Sequence, residues 1–323
     1  MPRSIAIGLN AVVLAVTGEE PRVLTVPAGG GGELALPFGP LDPDRHRTLE
    51  LGLRAWIRRQ TGIEVGYVEQ LYTFGDRDRD ADADERAISI AYLALVRERQ
   101  IERGAGAVWR GVYRFFPWED WRGGGAPRTL QADVLPALAE WAAAARDRPT
   151  SEARRERVDI AFGAGGSAWD AVRVLDRYEL LYEAGLVAEA ARGGNDANDM
   201  NDELPGRVKV GEPLALDHRR ILATALGRLR GKLKYRPVLF ELTPPTFTLW
   251  QLQRCVEALA GMPLHKQNFR RLVERAGLVE GTGQLEVHTG GRPAELFRFR
   301  HEVLRERPAP GVGLPGVKVG AGA

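Results

Sequence analysis

Two short helices joined by a glycine turn constrain this chain more than anything else in it. Residues Phe247-Thr-Leu-Trp-Gln-Leu-Gln-Arg-Cys-Val-Glu-Ala-Leu-Ala-Gly261 place Leu249, Leu252, Val256 and Leu259 at three- and four-residue spacing, the apolar stripe of a helix. Thr246 or Thr248 can cap its free amides, and Gly261 stops it. Pro263 stands just ahead of a second helix, where a missing amide hydrogen costs nothing and the fixed backbone angle helps. That helix is expected to bury Leu264, Phe269, Leu272 and Val273 and to turn Lys266, Gln267, Asn268, Arg270 and Arg271 outward. Such cations and side-chain amides grip phosphates and read base edges. Beyond it, Leu278–Arg300 holds two alternating runs around Gly290-Gly291, the pattern of a hairpin, with Arg292 at the tip. The order reads as a winged helix-turn-helix, with Lys266, Gln267, Asn268, Arg270, Arg271 and Arg292 as the expected DNA contacts.

Charge supports that reading where the whole-chain figure hides it. The chain carries only +2, yet Leu214 to Arg307 holds 17 Lys and Arg against 9 Asp and Glu, a net of +8. The remainder is therefore about −6, so the basic charge is concentrated in one third of the chain, where it draws a polyanion. The plainer alternative is a solvated helical face whose arginines pair with Glu257 and Glu274. At 323 residues, 44% hydrophobic and 27% charged, the chain has room for two domains and a sizeable core. The lone Cys255 excludes an internal disulfide and reads as a packed thiol. No run reaches the roughly 20 apolar residues of a membrane span, and the start Met-Pro-Arg-Ser leads into a strand rather than a signal sequence, so a cytoplasmic protein is expected.

The amino-terminal third reads as an α/β sandwich. Ile5–Val16 and Arg22–Val26 look like a strand hairpin, Leu36-Pro-Phe-Gly-Pro-Leu41 like a loop, and Thr48–Gly62 like a helix burying Leu49, Leu53, Trp56 and Ile57. Further strands are expected over Val65–Phe74, Ala87–Val96 and Gly111–Phe116. This stretch resembles a Nudix domain. Leu-Pro-Phe-Gly stands where that family has Leu-Pro-Gly-Gly, and Gln60-Thr-Gly-Ile63 stands where its signature helix ends in Glu-x-Gly-aliphatic. Counting back from Gly62, the family's Arg-Glu pair falls on Ala55 and Trp56 and its metal-binding glutamates on Arg59 and Gln60. Nudix hydrolysis needs carboxylates to hold magnesium against a diphosphate, so the resemblance implies a former hydrolase with no catalytic or metal site, used for binding. Arg45, Arg54, Arg58 and Arg59 could stand in for the missing cation, with Glu69 and Tyr72 lining the ligand; exposed helix arginines with no ligand role are the equal alternative.

Between the halves a helical insertion is expected: a helix over Leu130–Ala145 kinked at Pro136, a turn at Gly163-Ala-Gly-Gly166, and a helix over Trp169–Ala191. The polar stretch near 192–210 and the Pro- and Gly-rich tail read as disordered. Asp217–Leu233 reads as a long helix, with His218 a cap or interface histidine rather than a catalytic one. These boundaries make an α+β chain of four segments: 1–121 Nudix-like, 122–213 insertion and linker, 214–307 winged helix-turn-helix, and 308–323 tail.

Asp217-His-Arg-Arg-Ile-Leu222, Leu229-Arg-Gly-Lys232, Leu264-His-Lys-Gln-Asn-Phe-Arg-Arg271 and Thr289-Gly-Gly-Arg-Pro-Ala-Glu295 together resemble the Nudix-related transcriptional regulators of NAD metabolism, of the NadQ type and related to NrtR. The resemblance implies a homodimeric repressor of NAD-biosynthesis genes on a palindromic operator, with no cofactor and with NAD or ADP-ribose as effector. Two alternatives remain: an active Nudix hydrolase of ADP-ribose-like diphosphates with a fused nucleic-acid-binding module, and a regulator of unrelated ligand.

Overall fold

The computed structural model describes residues 5–29, 32–75, 86–101, 106–192, 209–233, 238–287 and 293–306. Its first half is a mixed sheet built on β1 (Ile5–Thr17). β2 (Glu20–Pro27) returns antiparallel, Leu14 opposite Val23, through a Gly18-Glu19 turn with positive φ at both positions, a geometry that follows the twist of the strands. β6 (Arg86–Leu95) runs parallel to β1 from Ile5–Arg86 to Leu14–Leu95, and β5 (Tyr67–Phe74) lies antiparallel outside it. β3 (Leu34–Ala35) and β7 (Val108–Gly111) pair with β2. β4 (Phe38–Pro40), inside the expected loop, pairs with β1.

From Ala11 to Val16 β1 is apolar without interruption, because both its faces are covered there. Leu9, Ala11, Val13 and Ala15 point to a core shared with Leu53 and Ile57 of α1 (Leu49–Thr61). Val12 and Leu14 point to the other face, where a larger core continues through the helical segment into the C-terminal module. The strand expected over Gly111–Phe116 is corrected: Val112–Phe115 forms the short helix α2, burying Val112, Tyr113 and Phe115. A short apolar run carries no periodicity with which to tell strand from helix.

The insertion shares its core with both neighbours. Leu130–Val134 winds as a widened π turn before α3 (Leu135–Ala143). Pro136 has no N–H for the carbonyl four residues back, and the ring needs the room. α4 (Arg148–Phe162), capped by Asp147 and closed by Gly163 at φ 66°, was not anticipated from the sequence. A Cβ on Gly163 would come within 2.6 Å of the Trp169 backbone nitrogen, so the glycine turn is a packing requirement. The helix expected over Trp169–Ala191 is shorter: α5 is Val174–Glu183, and Gly185 at φ 69° ends the run. The expected disordered stretches fall mostly outside the described residues, but Val210 is buried and its N–H donates to the Leu186 carbonyl at 2.9 Å.

α6 (His218–Leu233) joins the halves. His218 is an interface residue as expected: it is buried, Nδ1 accepts from the Leu36 N–H at 3.1 Å, and its ring meets Phe38 edge-on. The C-terminal module follows as β8 (Phe247–Thr248), α7 (Leu249–Ala260), α8 (Lys266–Ala276), β9 (Val279–Glu286), β10 (Ala294–Phe299) and the short α9 (Val303–Glu306). β10 is the middle strand of the three-stranded sheet. No helix among the described residues is long and apolar enough to cross a membrane.

Candidate DNA interface and effector site

Thr248 caps α7 reciprocally: its hydroxyl accepts from the Gln251 N–H, and the Gln251 side chain accepts from the Thr248 N–H at 2.8 Å. Leu249, Leu252, Val256 and Leu259 are buried as their spacing requires, and burial pushes the Cys255 thiol up to about 12. Gly261 closes the helix at φ 73°. The turn that aims α8 is held from α7. The Gln253 amide donates to the Leu264 carbonyl at 2.9 Å, and the Glu257 carboxylate accepts the Leu264 N–H at 2.8 Å. Glu257 is thereby turned inward, also meeting Arg254 at 2.6 Å, and does not neutralise α8 as the plainer alternative required.

α8 buries Phe269 and Val273 and leaves Lys266, Gln267, Asn268, Arg270 and Arg271 exposed together. Among the described residues none of Lys266, Arg270 and Arg271 is paired with a carboxylate; Arg271 donates to the Asn268 amide oxygen at 3.4 Å, one turn away. β9 and β10 form the expected hairpin, Ala294 opposite Glu286, while Gly290, Gly291 and Arg292 lie outside the described residues. An exposed basic helix, rigidly set by a neighbour and flanked by a two-stranded wing, has the shape and charge to enter a major groove.

In the first half, two α1 side chains fasten the loop that holds β4. Gln60 accepts from the Phe38 N–H at 3.1 Å and donates to the Phe38 carbonyl at 3.0 Å. A glutamate could make only the first of these bonds. Trp56 donates its indole N–H to the Pro40 carbonyl at 2.9 Å and lies so close over Gly39 that a Cβ there would fall within its ring. Gly39→Ala is therefore expected to cost about 1–3 kcal/mol by overpacking, read from a urea unfolding curve.

The expected effector residues do not form one cluster. Arg54 is committed locally: it pairs with Glu50 at 2.7 Å and donates to the carbonyls of Val65 and, at 2.9 Å, Gly66. Glu69 faces the opposite side of the sheet from α1, where it pairs with Lys232 of α6 and accepts from the Tyr67 hydroxyl. Both are thus engaged within the protein; strand parity puts Glu69 on that face, and sequence alone did not show which face α1 covers. Arg58 remains exposed near Glu64 at 3.7 Å, Arg59 stacks at 5.3 Å from the Trp56 ring centre, and Arg45 lies 3.6 Å from Asp42 in the loop before α1. Tyr72 is exposed on β5.

Residues 239–299 match the family model described as the NrtR DNA-binding winged helix domain. The C-terminal module is similar to the NrtR DNA-binding winged helix domain. Over 86 residues the chain is 43% identical to the "ADPR responsive transcriptional repressor NtrR" of Acinetobacter baylyi, a match that covers 27% of this chain and about a third, 34%, of that protein. The NrtR of Shewanella oneidensis, solved in complex with a 27mer DNA, superposes over 93% of this chain and 95% of its own with a TM-score of 0.56 at 21% identity. A MutT/nudix family protein from Enterococcus faecalis does so over 93% and 88% with a TM-score of 0.54 at 15% identity. At these identities the likeness is one of fold, and it extends from the Nudix sheet to the NrtR winged helix. The resemblance read from the sequence is thus borne out for the winged helix, and for the first half in its fold.

Proposed function

We propose that this protein is an operator-binding repressor of NAD-biosynthesis genes that senses ADP-ribose or NAD through a catalytically silent Nudix domain. One observation carries the reading: α8 presents Lys266, Gln267, Asn268, Arg270 and Arg271 on an exposed face whose cations have no acidic partner among the described residues, within a module similar to the NrtR winged helix domain. The printed function of the Acinetobacter relative and the DNA complex of the Shewanella protein support it. ADP-ribose is the favoured effector on the same ground, with Arg58, Arg59 and Arg45 as the cations available to a diphosphate and Tyr72 within the same half. A homodimer would set two α8 helices on the half-sites of a palindromic operator, about one helical turn or a multiple apart, and a reader of genomic DNA works in the cytoplasm. The sensor is assigned to 1–121 and the reader to 214–307, joined by the helices between.

Trp56 and Gln60 also argue against hydrolysis, because their hydrogen bonds to Pro40 and Phe38 hold the loop against α1 where the family would place metal ligands. Footprinting of the full chain on genomic DNA, with and without ADP-ribose, tests the function. Protection of a palindromic site that changes with ADP-ribose is expected, and no magnesium-dependent loss of ADP-ribose should accompany it. Robust turnover abolished by chelation would favour the hydrolase reading instead.

A further inference from the structure

The C-terminal end of α7, one turn ahead of the DNA-reading helix, is held by donors that precede β8 in the chain. The Tyr113 hydroxyl donates to the Ala258 carbonyl at 2.6 Å, Arg230 Nε to the Leu259 carbonyl at 3.0 Å, and the Trp121 N–H to the Gly261 carbonyl at 2.6 Å. Tyr113 and Trp121 belong to the chain that leaves the Nudix sheet after β7; Arg230 belongs to α6. These segments meet at Glu119. Its carboxylate, fully buried, pairs with Arg230 at 2.5 Å and with Arg177 of α5 at 2.5 and 3.0 Å, both arginines equally buried.

One carboxylate against two guanidinium groups leaves a positive charge inside the protein, and two helix ends absorb it. Arg230 caps the C-terminus of α7 at Leu259, and Arg177 donates to the Ala161 carbonyl in the last turn of α4 at 2.9 Å. Both are the negative ends of helix dipoles. A buried ion cluster of this kind returns little net stability over an apolar packing of the same shape, but its hydrogen bonds fix one relative orientation of the parts it joins. A second contact runs from the sheet to the same helix: Glu19, in the β1–β2 turn, pairs with Arg254 of α7, and its carbonyl accepts from Arg122 at 2.6 Å. Glu119 could not be placed between the two units unless the strand end, α5, α6 and α7 all converged there.

We propose that the Glu119–Arg177–Arg230 cluster, with Tyr113, is a positioning joint through which ligand occupancy of the Nudix half sets the angle of α7 and thus of α8 on DNA. The joint rests on the effector reading above. It makes Glu119, Arg230 and Tyr113 determinants of coupling, touching neither ligand nor DNA. Allostery is the ratio of operator affinities with and without effector, so coupling is measured separately from stability and from either binding step.

The test uses the full chain as wild type, Tyr113→Phe and Glu119→Gln, each titrated on the footprinted operator with and without ADP-ribose, beside calorimetry of ADP-ribose binding. Tyr113→Phe removes one hydroxyl and keeps the ring, so it keeps the test decisive if Glu119→Gln does not fold. Expected is a wild-type ratio of about fivefold or more that falls towards one in the folded variants, with ADP-ribose affinity unchanged. Variants that lose thermal stability yet keep the wild-type ratio would make the cluster structural only and overturn the joint. A wild-type ratio of one would instead remove the effector reading, and the joint with it.

Discussion

Replacing Glu119 with alanine should cost about 3–5 kcal/mol of folding stability, the penalty for stranding buried charges, here those of Arg177 and Arg230. Without Glu119 the two fully buried guanidinium groups would keep only carbonyl partners, the Tyr113 hydroxyl at 3.4 Å from Arg230, and the Trp169 ring, whose centre lies 3.8 Å from Arg177. The loss is read from the midpoint of urea unfolding at constant slope, and a change below about 1 kcal/mol would show that the cluster is not a fastening point. The same carboxylate sets an acid limit. Burial raises its pKa, but Arg177 and Arg230 outweigh burial and hold it below its ordinary value of 4.5. A depressed folded pKa contributes stability that is present above 4.5 and lost as pH falls through the folded value, and this acid-sensitive part should be missing from the alanine variant.

The helix pair α7–α8 was legible in the sequence because its signals are local. Capping by Thr248, the stop at Gly261, the stripe of α7 and the polar face of α8 depend on residues within a few positions of each other. The sheet was legible for the same reason, from alternation and a tight turn. What failed needed contacts distant in sequence. Pro117-Trp-Glu-Asp-Trp121 reads as a hinge, and nothing local says that Glu119 lies opposite arginines 58 and 111 residues away. Arg230 was visible only as part of Leu229-Arg-Gly-Lys232. The partners of Arg54 and Glu69 were not legible, because charge on a strand or helix names a chemistry but not the face or partner that uses it. The residues of α1 could be read one by one, yet the role of Trp56 and Gln60 in pinning Pro40 and Phe38 required the loop to be in place.

Loss of both Arg270 and Arg271 should abolish specific operator binding without unfolding the protein. Each side chain is exposed and neither is paired with a carboxylate among the described residues, so the folded state loses little, within about 0.5 kcal/mol per site. On DNA the cost differs by role. A cation that reads a guanine edge carries about 1–3 kcal/mol, and one that contacts a phosphate contributes about one unit to the slope of log affinity against log salt. Asn268, whose amide oxygen Arg271 engages at 3.4 Å, is placed to read adenine beside them. The decisive measurement is a titration of labelled operator with wild type and with Arg270→Ala, Arg271→Ala at several salt concentrations, each with and without ADP-ribose. Wild type should bind with an affinity that ADP-ribose shifts, and the folded double variant should lose affinity by tenfold or more, with a shallower salt slope. Equal affinity and equal slope in the two proteins would mean that α8 does not read DNA.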